Sequence, residues 1–296
     1  MDRMPMNLHP RLFCFGYGFS AAALGRRLAA RGFAVAGTCR SEEKAAVLRA
    51  EGIDAFIFGE TPLADPAAAL AGTTHLLLSV PPGEAGDPVL AAHEPDIARI
   101  APQLEWMGYL STTGVYGDRS GGWVDERTPL APGTARGRRR LEAEEAWRAF
   151  AARTAAPLHI FRLAGIYGPG RNQLRSLREG TARRIVKPGQ IFSRVHVEDI
   201  AAILEASIAK PRPGAAYNVC DDAPAPPQEV VAYAAKLLGC EPPPEIPFDK
   251  AELTPMARSF YADSKRVSNR LVREELCVTL QYPTYREGLK ALLDHP

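Results

Sequence analysis

The feature that most constrains the fold is a short apolar run that breaks into glycines. Leu12-Phe13-Cys14-Phe15 is followed at once by Gly16-Tyr17-Gly18-Phe19-Ser20-Ala21, which matches G-x-G-x-x-A. The run has the composition of a strand buried on both faces. Ala21, Leu24, Gly25 and Leu28 then recur at i, i+3, i+4 and i+7, so a helix lays one face on that strand. Arg26, Arg27 and Arg31 fall towards its end, where cations suit the dipole, and Gly32 is placed to cap it. In that order, strand, glycine turn and helix make an anion cradle. Gly16 permits the tight turn, Gly18 lets the backbone approach a pyrophosphate, and small Ala21 allows close helix–strand contact. The pyrophosphate sits on the N–H groups that open the helix. A glycine turn without a ligand is the plainer alternative. The position between strand and helix favours a dinucleotide contacted by Gly16, Tyr17, Gly18, Phe19 and Ser20.

The end of the next strand decides which dinucleotide. Phe33 to Cys39 reads as that strand and runs into Arg40-Ser41. About 20 residues past the glycines, an acidic residue would hold the ribose 2′-OH of NAD. Arg40 and Ser41 stand there instead and suit a 2′-phosphate, so NADP is the expected cofactor ahead of NAD. The alternative for Arg40 is an exposed loop arginine. Ile53 to Phe58, Thr74 to Val80, Trp106 to Ser111 and Leu158 to Leu163 are further strands, alternating with helices such as Arg136 to Ala152. That alternation predicts an α/β fold with a doubly wound parallel sheet, a Rossmann fold. Ligands gather at the strand ends of such sheets, which sets Ser79, Val80, Pro81 and Pro82 beside the cofactor.

Composition bounds the rest. A chain of 296 residues, 46% of them hydrophobic, has room for one large domain and a smaller one. A net charge of +2 is too small to argue for nucleic acid or a membrane surface. No apolar run has the length of a membrane span, and a signal-peptide pattern is not expected. The five cysteines show no C-x-x-C spacing, which fits a reduced, cytoplasmic setting. Metal-ligand spacing is missing as well, so no metal is expected.

Several motifs in order carry a family resemblance: GYGFSA (Gly16 to Ala21), LSTTGVYGD (Leu110 to Asp118), RLAGIYGPG (Arg162 to Gly170), RVHVEDIA (Arg194 to Ala201) and YNVCDD (Tyr217 to Asp222). The sequence resembles the extended short-chain dehydrogenase/reductase superfamily, also called the NAD-dependent epimerase/dehydratase family. The resemblance implies a Rossmann domain over residues 8–165 plus 195–220. It implies a small, mostly helical substrate lobe over 166–194 plus 221–296. It also sets Gly165 at the cofactor and Thr113 at the substrate. Family members work through a Ser or Thr and a Tyr-x-x-x-Lys pair. Thr112 matches the first. The helix that should carry the pair reads Arg136-Gly137-Arg138-Arg139-Arg140-Leu141, so Arg136 stands for the tyrosine and Arg140 for the lysine. A guanidinium stays protonated at any working pH, which makes Arg136 a poor proton shuttle. Arg140 keeps the means to hold a ribose hydroxyl or a phosphate. The alternative for both is a solvated basic helix face paired with Glu142 and Glu144. The chain thus resembles an atypical branch of the family without the usual pair. Tyr116 is the remaining phenol expected near the nicotinamide, while His196 reads as a hydrogen-bonded structural histidine.

After Gly170 the charge is one-sided: Arg171, Arg175, Arg178, Arg183, Arg184, Lys187 and Arg194 face a single acid, Glu179. Guanidinium groups bind phosphate or carboxylate bidentately, so Arg175, Arg178 and Arg194 are candidate substrate ligands; a basic surface is the alternative. Further on, Gln228 to Leu238 and Asp263 to Leu276 read as helices, and Thr284-x-x-Glu287 as a capping box opening a last one. Two functions remain open. One is an NADP-dependent epimerase/dehydratase or oxidoreductase for a phosphorylated or nucleotide-linked (sugar) substrate, with a degenerate active site. The other is an NADP-binding sensor or interaction module without hydride chemistry. The expected partner is a small anionic molecule; a homodimer is admitted, nucleic acid and membrane are not.

Overall fold

The computed structural model describes residues 9–293. Leu8, the expected first residue of the Rossmann domain, and residues 294–296 lie outside the described residues. In chain order the elements begin β1 (Arg11–Phe15), α1 (Phe19–Ala29), β2 (Ala34–Cys39), α2 (Glu42–Ala50), β3 (Asp54–Ile57), α3 (Pro66–Leu70) and β4 (His75–Leu78). Next come α4 (Pro88–Ile100), β5 (Trp106–Thr112), β6 (Trp123–Val124), α5 (Ala135–Thr154), β7 (Leu158–Leu163), β8 (Gly165–Tyr167), α6 (Gln173–Arg178), β9 (Arg184–Val186) and β10 (Arg194–His196). The chain ends through α7 (Val197–Ala209), β11 (Ala216–Val219), α8 (Pro227–Leu238), β12 (Glu245–Pro247), α9 (Pro255–Phe260), β13 (Arg266–Val267), α10 (Arg270–Leu276) and α11 (Tyr285–Ala291).

The central sheet is parallel and seven-stranded, in the order β3-β2-β1-β4-β5-β7-β11. This is the Rossmann α/β fold expected from the alternation of elements. Leu12 lies opposite Val35 on one side and His75 on the other, and Leu12, Phe13, Cys14 and Phe15 are all fully buried. An inner strand with apolar side chains on both faces is what two helical layers require. Strand order reverses between β1 and β4, the place where open α/β sheets bind ligands.

The chain divides into two compact units. One is built from the chain through Leu110 with Ala143–Ile160 and Ser207–Ala215; the other from Ser111–Glu142, Phe161–Ala206 and the chain from Ala216 onward. In the first unit, Asp87 caps α4 by accepting from the N–H groups of Val89 (3.0 Å) and Leu90 (3.1 Å). Its other oxygen accepts from the indole N–H of fully buried Trp147 at 3.0 Å. In the second unit, Tyr167, Leu174, Val230, Ala234, Tyr285 and Leu289 form one apolar cluster.

The expected helix Asp263 to Leu276 begins only at Arg270. Tertiary partners claim the backbone before it. Ser264 N–H donates to Asp118 at 2.8 Å, its carbonyl accepts from Arg119 and Gly121, and Arg266 and Val267 pair in parallel with Trp123 and Val124. Thr284 caps α11, accepting from Arg286 N–H at 3.1 Å, and the Glu287 carboxylate bonds both the Thr284 hydroxyl and its backbone N–H. Among the described residues no helix is long and apolar enough to cross a membrane.

Candidate functional site

The glycine loop of the first unit is held from β2. Thr38, buried in that strand, accepts the Gly16 N–H on its hydroxyl at 2.8 Å and the Tyr17 N–H on its carbonyl at 2.7 Å. Gly16 has φ +84°, and a Cβ there would lie 3.1 Å from Val80 Cγ2 and 3.3 Å from the Ser79 carbonyl carbon. The loop therefore lies against Ser79 and Val80, and Pro81 and Pro82 follow directly. Gly18 is the N-cap of α1, with no capping side chain and no acid in the first turn. A Cβ on Gly18 would meet nothing within 4 Å. An uncapped, positively polarised helix start above open space fits a pyrophosphate, with Phe19 and Ser20 as the first helical residues.

Two residues of the loop region need a different account. The Tyr17 side chain does not reach outward. It is buried against α1 and β2, so close that a Cβ on Gly25 would fall on its hydroxyl, and burial raises its pKa to about 12. Only its backbone belongs to the cradle. Thr38 was missed, because the motif describes glycines and not the strand that pins them. Its one signal was a hydroxyl in the otherwise apolar run Ala34–Cys39.

At the end of β2, Arg40 is exposed and its stem lies along Gly59. The neighbouring Ser41 caps α2, its oxygen accepting from Lys44 N–H at 3.3 Å, and its hydroxyl donates to the Glu43 carboxylate.

The second unit holds Thr112, Tyr116, Arg136 and Arg140, the residues the resemblance sets at catalytic positions. Thr112 ends β5, and its hydroxyl oxygen accepts from Gly114 N–H at 3.2 Å, turning Thr113–Tyr116 into a single 3-10 turn. Gly137 packs the start of α5 on that turn: a Cβ there would sit 2.9 Å from the Gly114 carbonyl oxygen. Tyr116 is fully buried. Its hydroxyl donates to Asn218 Oδ1 (2.8 Å) and accepts from Arg162 Nη1 (2.9 Å), and burial raises its pKa. Both hydrogen-bonding roles of the oxygen are met inside the protein, so Tyr116 is a core residue, not a side chain open to a ligand. Arg136 lies with its guanidinium 4.9 Å from the centre of the Phe260 ring. Desolvation lowers its pKa first, then the charges of Arg140 and Arg171. Arg140, one helical turn on, is half-buried.

The same unit has an open cavity of about 770 Å³ whose charged lining is Arg171, Arg175, Arg183, Arg194 and Glu179. Tyr167, Phe260 and Tyr285 supply aromatic walls, and Gly165, expected at the cofactor, also lines it from β8. Arg194 donates to the carbonyls of Phe192 (3.0 Å) and Ala225 (3.2 Å), and desolvation lowers its pKa. Arg175 pairs with Glu179 at 2.6 Å. Arg178 is the exception among the expected ligands: its guanidinium donates to the Leu293 carbonyl at 3.1 Å and does not line the cavity. His196 is buried against Tyr167 and Tyr282, with Nδ1 accepting from Glu198 N–H at 3.2 Å. Desolvation lowers its pKa to about 4, so it is a neutral packing group near pH 7. No set of three or more His, Cys, Asp and Glu among the described residues could hold a metal ion.

Comparison with known proteins adds a lineage to this geometry. The model of the NAD dependent epimerase/dehydratase family matches residues 97–220. Protein YeeZ of Escherichia coli (strain K12) is 33% identical over 239 residues, covering 77% of this chain and 84% of YeeZ. A functionally unknown conserved protein from Silicibacter pomeroyi DSS is 55% identical, with a TM-score of 0.87 over 96% of this chain and 98% of that one. UDP-glucuronic acid 4-epimerase from Bacillus cereus, solved with NAD, shares the fold at 16% identity and a TM-score of 0.76, with 96% and 98% covered.

Proposed function

The chain belongs to the NAD-dependent epimerase/dehydratase family, and from that premise we propose that it binds NADP(H) on the Gly16–Gly18 loop and a phosphorylated or nucleotide-linked sugar in the arginine-lined cavity of its second unit. The observation that carries the reading is that cavity, with four guanidinium groups to one carboxylate and aromatic walls. Guanidinium forks match phosphate oxygens, and tyrosine and phenylalanine faces suit a base or sugar ring. NADP is preferred to NAD because Arg40 and Ser41 stand where an acid would hold a ribose 2′-OH. The Gly16 to Ser20 backbone holds the pyrophosphate, with Ser79 to Pro82 alongside.

When bound, a nicotinamide supplies a hydride acceptor or donor. The protein contributes position and hydrogen bonds. Thr112 has its hydroxyl proton to donate, since the oxygen already accepts from Gly114. Arg140 holds a ribose hydroxyl or phosphate. No titratable group stands at the tyrosine position, so epimerase or dehydrogenase turnover with ordinary nucleotide sugars is expected to be slow. General acid–base help is worth about 10²–10⁴-fold. The Tyr116 network and the two arginines favour a second reading, an NADP-binding sensor or interaction module without hydride chemistry.

Titration of NADPH and NADH into the protein and into Arg40→Asp tests the cofactor. Charge-assisted hydrogen bonds to a phosphate are each worth about 1.5–3 kcal/mol. NADPH should therefore bind at least about tenfold more tightly, and the variant should lose that margin. Equal affinities in the unaltered protein sink the reading. Turnover of UDP-sugars by the NADP-loaded protein at ordinary enzyme rates, about 1–10³ s⁻¹, would exclude the sensor.

A further inference from the structure

The first turn of α5 contradicts the electrostatics of a helix start. It holds no acid, although the amide dipoles there favour negative charge, and Arg136, Arg138, Arg139 and Arg140 crowd it. Such a break of a local rule marks function when no stabilising contact accounts for it. Arg138 is accounted for by the Gly133 carbonyl at 3.0 Å, and Arg139 and Arg140 have partners of their own.

Arg136 differs. Its described contact is the face of Phe260, a phenylalanine left 48% exposed, and that ring lines the cavity. A cation–π contact uses none of the five N–H donors of a guanidinium, which stay available to an oxyanion. Arg171 lines the same cavity. Among the described residues neither guanidinium has a carboxylate partner, although both are exposed where a flexible acid could reach.

We infer that Arg136 and Arg171 together form an oxyanion subsite at the edge of this cavity, taking a carboxylate or phosphate of the substrate where related enzymes keep their tyrosine. The inference deepens the proposed function and rests on its cavity as the substrate site. The substrate class becomes one with an anionic group at its reacting end, beyond any anion held by Arg183 and Arg194. Like charges on two neighbouring helix and loop positions repel when empty and are reconciled by a bound anion. The exchange of Tyr for Arg then trades proton transfer for charge recognition.

The test is calorimetric titration of inorganic phosphate, and separately of malonate, into the protein, Arg136→Ala, Arg171→Ala and the double variant. Arg178→Ala, outside the cavity, is the control. Both tested residues are exposed, so unchanged melting temperatures are expected. Phosphate affinity should fall at least about tenfold in each single variant and no further in the double, because both serve one site. Malonate following the same pattern identifies a general oxyanion site; phosphate alone doing so identifies a phosphoryl site. Absence of anion binding, affinity unchanged in either single variant, or losses that simply add each overturn the inference. The NADPH preference is read independently: its failure removes the proposed cofactor without touching the phosphate series, and the reverse holds too.

Discussion

Tyr116 shows how a motif letter and a side chain's work diverge. In the sequence it sits in a signature stretch and looks like the phenol left over for proton transfer. In the fold its oxygen joins Asn218 and Arg162 in the core, and Asn218 N–H binds Glu126 at 2.8 Å. Tyr116→Phe leaves two buried polar groups short of a partner, so stability should drop by about 1–3 kcal/mol in urea denaturation. A neutral change would mean the hydroxyl is dispensable there. The glycines are the legible part, because their letters report backbone needs directly. They also separate fold from binding. Gly16→Ala puts a side chain at φ +84° and 3.1 Å from Val80, so melting temperature and cofactor affinity should both fall. Gly18 has φ −98° and ψ −159°, which any residue adopts, over open space. Gly18→Ala should therefore keep the melting temperature and lose cofactor affinity; an equal loss of both would argue against a pyrophosphate there. The direction of Tyr17 and the anchoring by Thr38 were not legible, since both depend on which strand lies next door.

At the scale of elements, periodic segments read correctly and boundaries set by distant partners did not. The helix over Pro227–Leu238, closed by Gly239, follows from local pattern and a left-handed glycine. The false start at Asp263 follows from local pattern too, but Asp118, Ser193 and β6 bind that backbone first. Asp87 was not singled out in the sequence either, although it joins the α4 N-terminus to the Trp147 indole. Asp87→Ala removes a cap and orphans a buried N–H together, and should cost about 1–3 kcal/mol by the same denaturation measurement. On α5, positions 136 and 140 lie one turn apart on one face. The double change Arg136→Tyr with Arg140→Lys should raise turnover of a UDP-sugar by up to about 10²–10⁴-fold while lowering phosphate affinity. A rate that stays flat would show that more than the pair has been lost.

For the whole molecule, the parallel sheet and the strand–glycine turn–helix unit were legible because alternation and glycine spacing are one-dimensional signals. The cavity was not, since its walls come from segments scattered between residues 165 and 289. Burial also writes a pH response that no sequence discloses. It lowers the pKa of His75, His159 and His196, the last from 6.5 to about 4, and raises that of Asp221 from 3.8 to about 7. The unfolded chain protonates those imidazoles where the folded one does not, so their contribution is present above 6.5 and lost as pH falls. Asp221 acts in the opposite sense: its contribution is full below 3.8 and lost as pH rises to about 7. Asp221→Asn should thus gain stability relative to the unaltered protein as pH rises from 4 to 7, then level off. A difference independent of pH would refute the assignment. The Tyr116 bond to Asn218 carries a last consequence, one of timing. Its partners are 102 residues apart in the chain. At ribosomal speeds of about 5–20 residues per second, Tyr116 leaves the exit tunnel roughly 5–20 s before the amide oxygen that accepts its hydrogen bond. Until then, burying that phenol leaves its O–H short of its acceptor, so this part of the second unit closes only when β11 has been made.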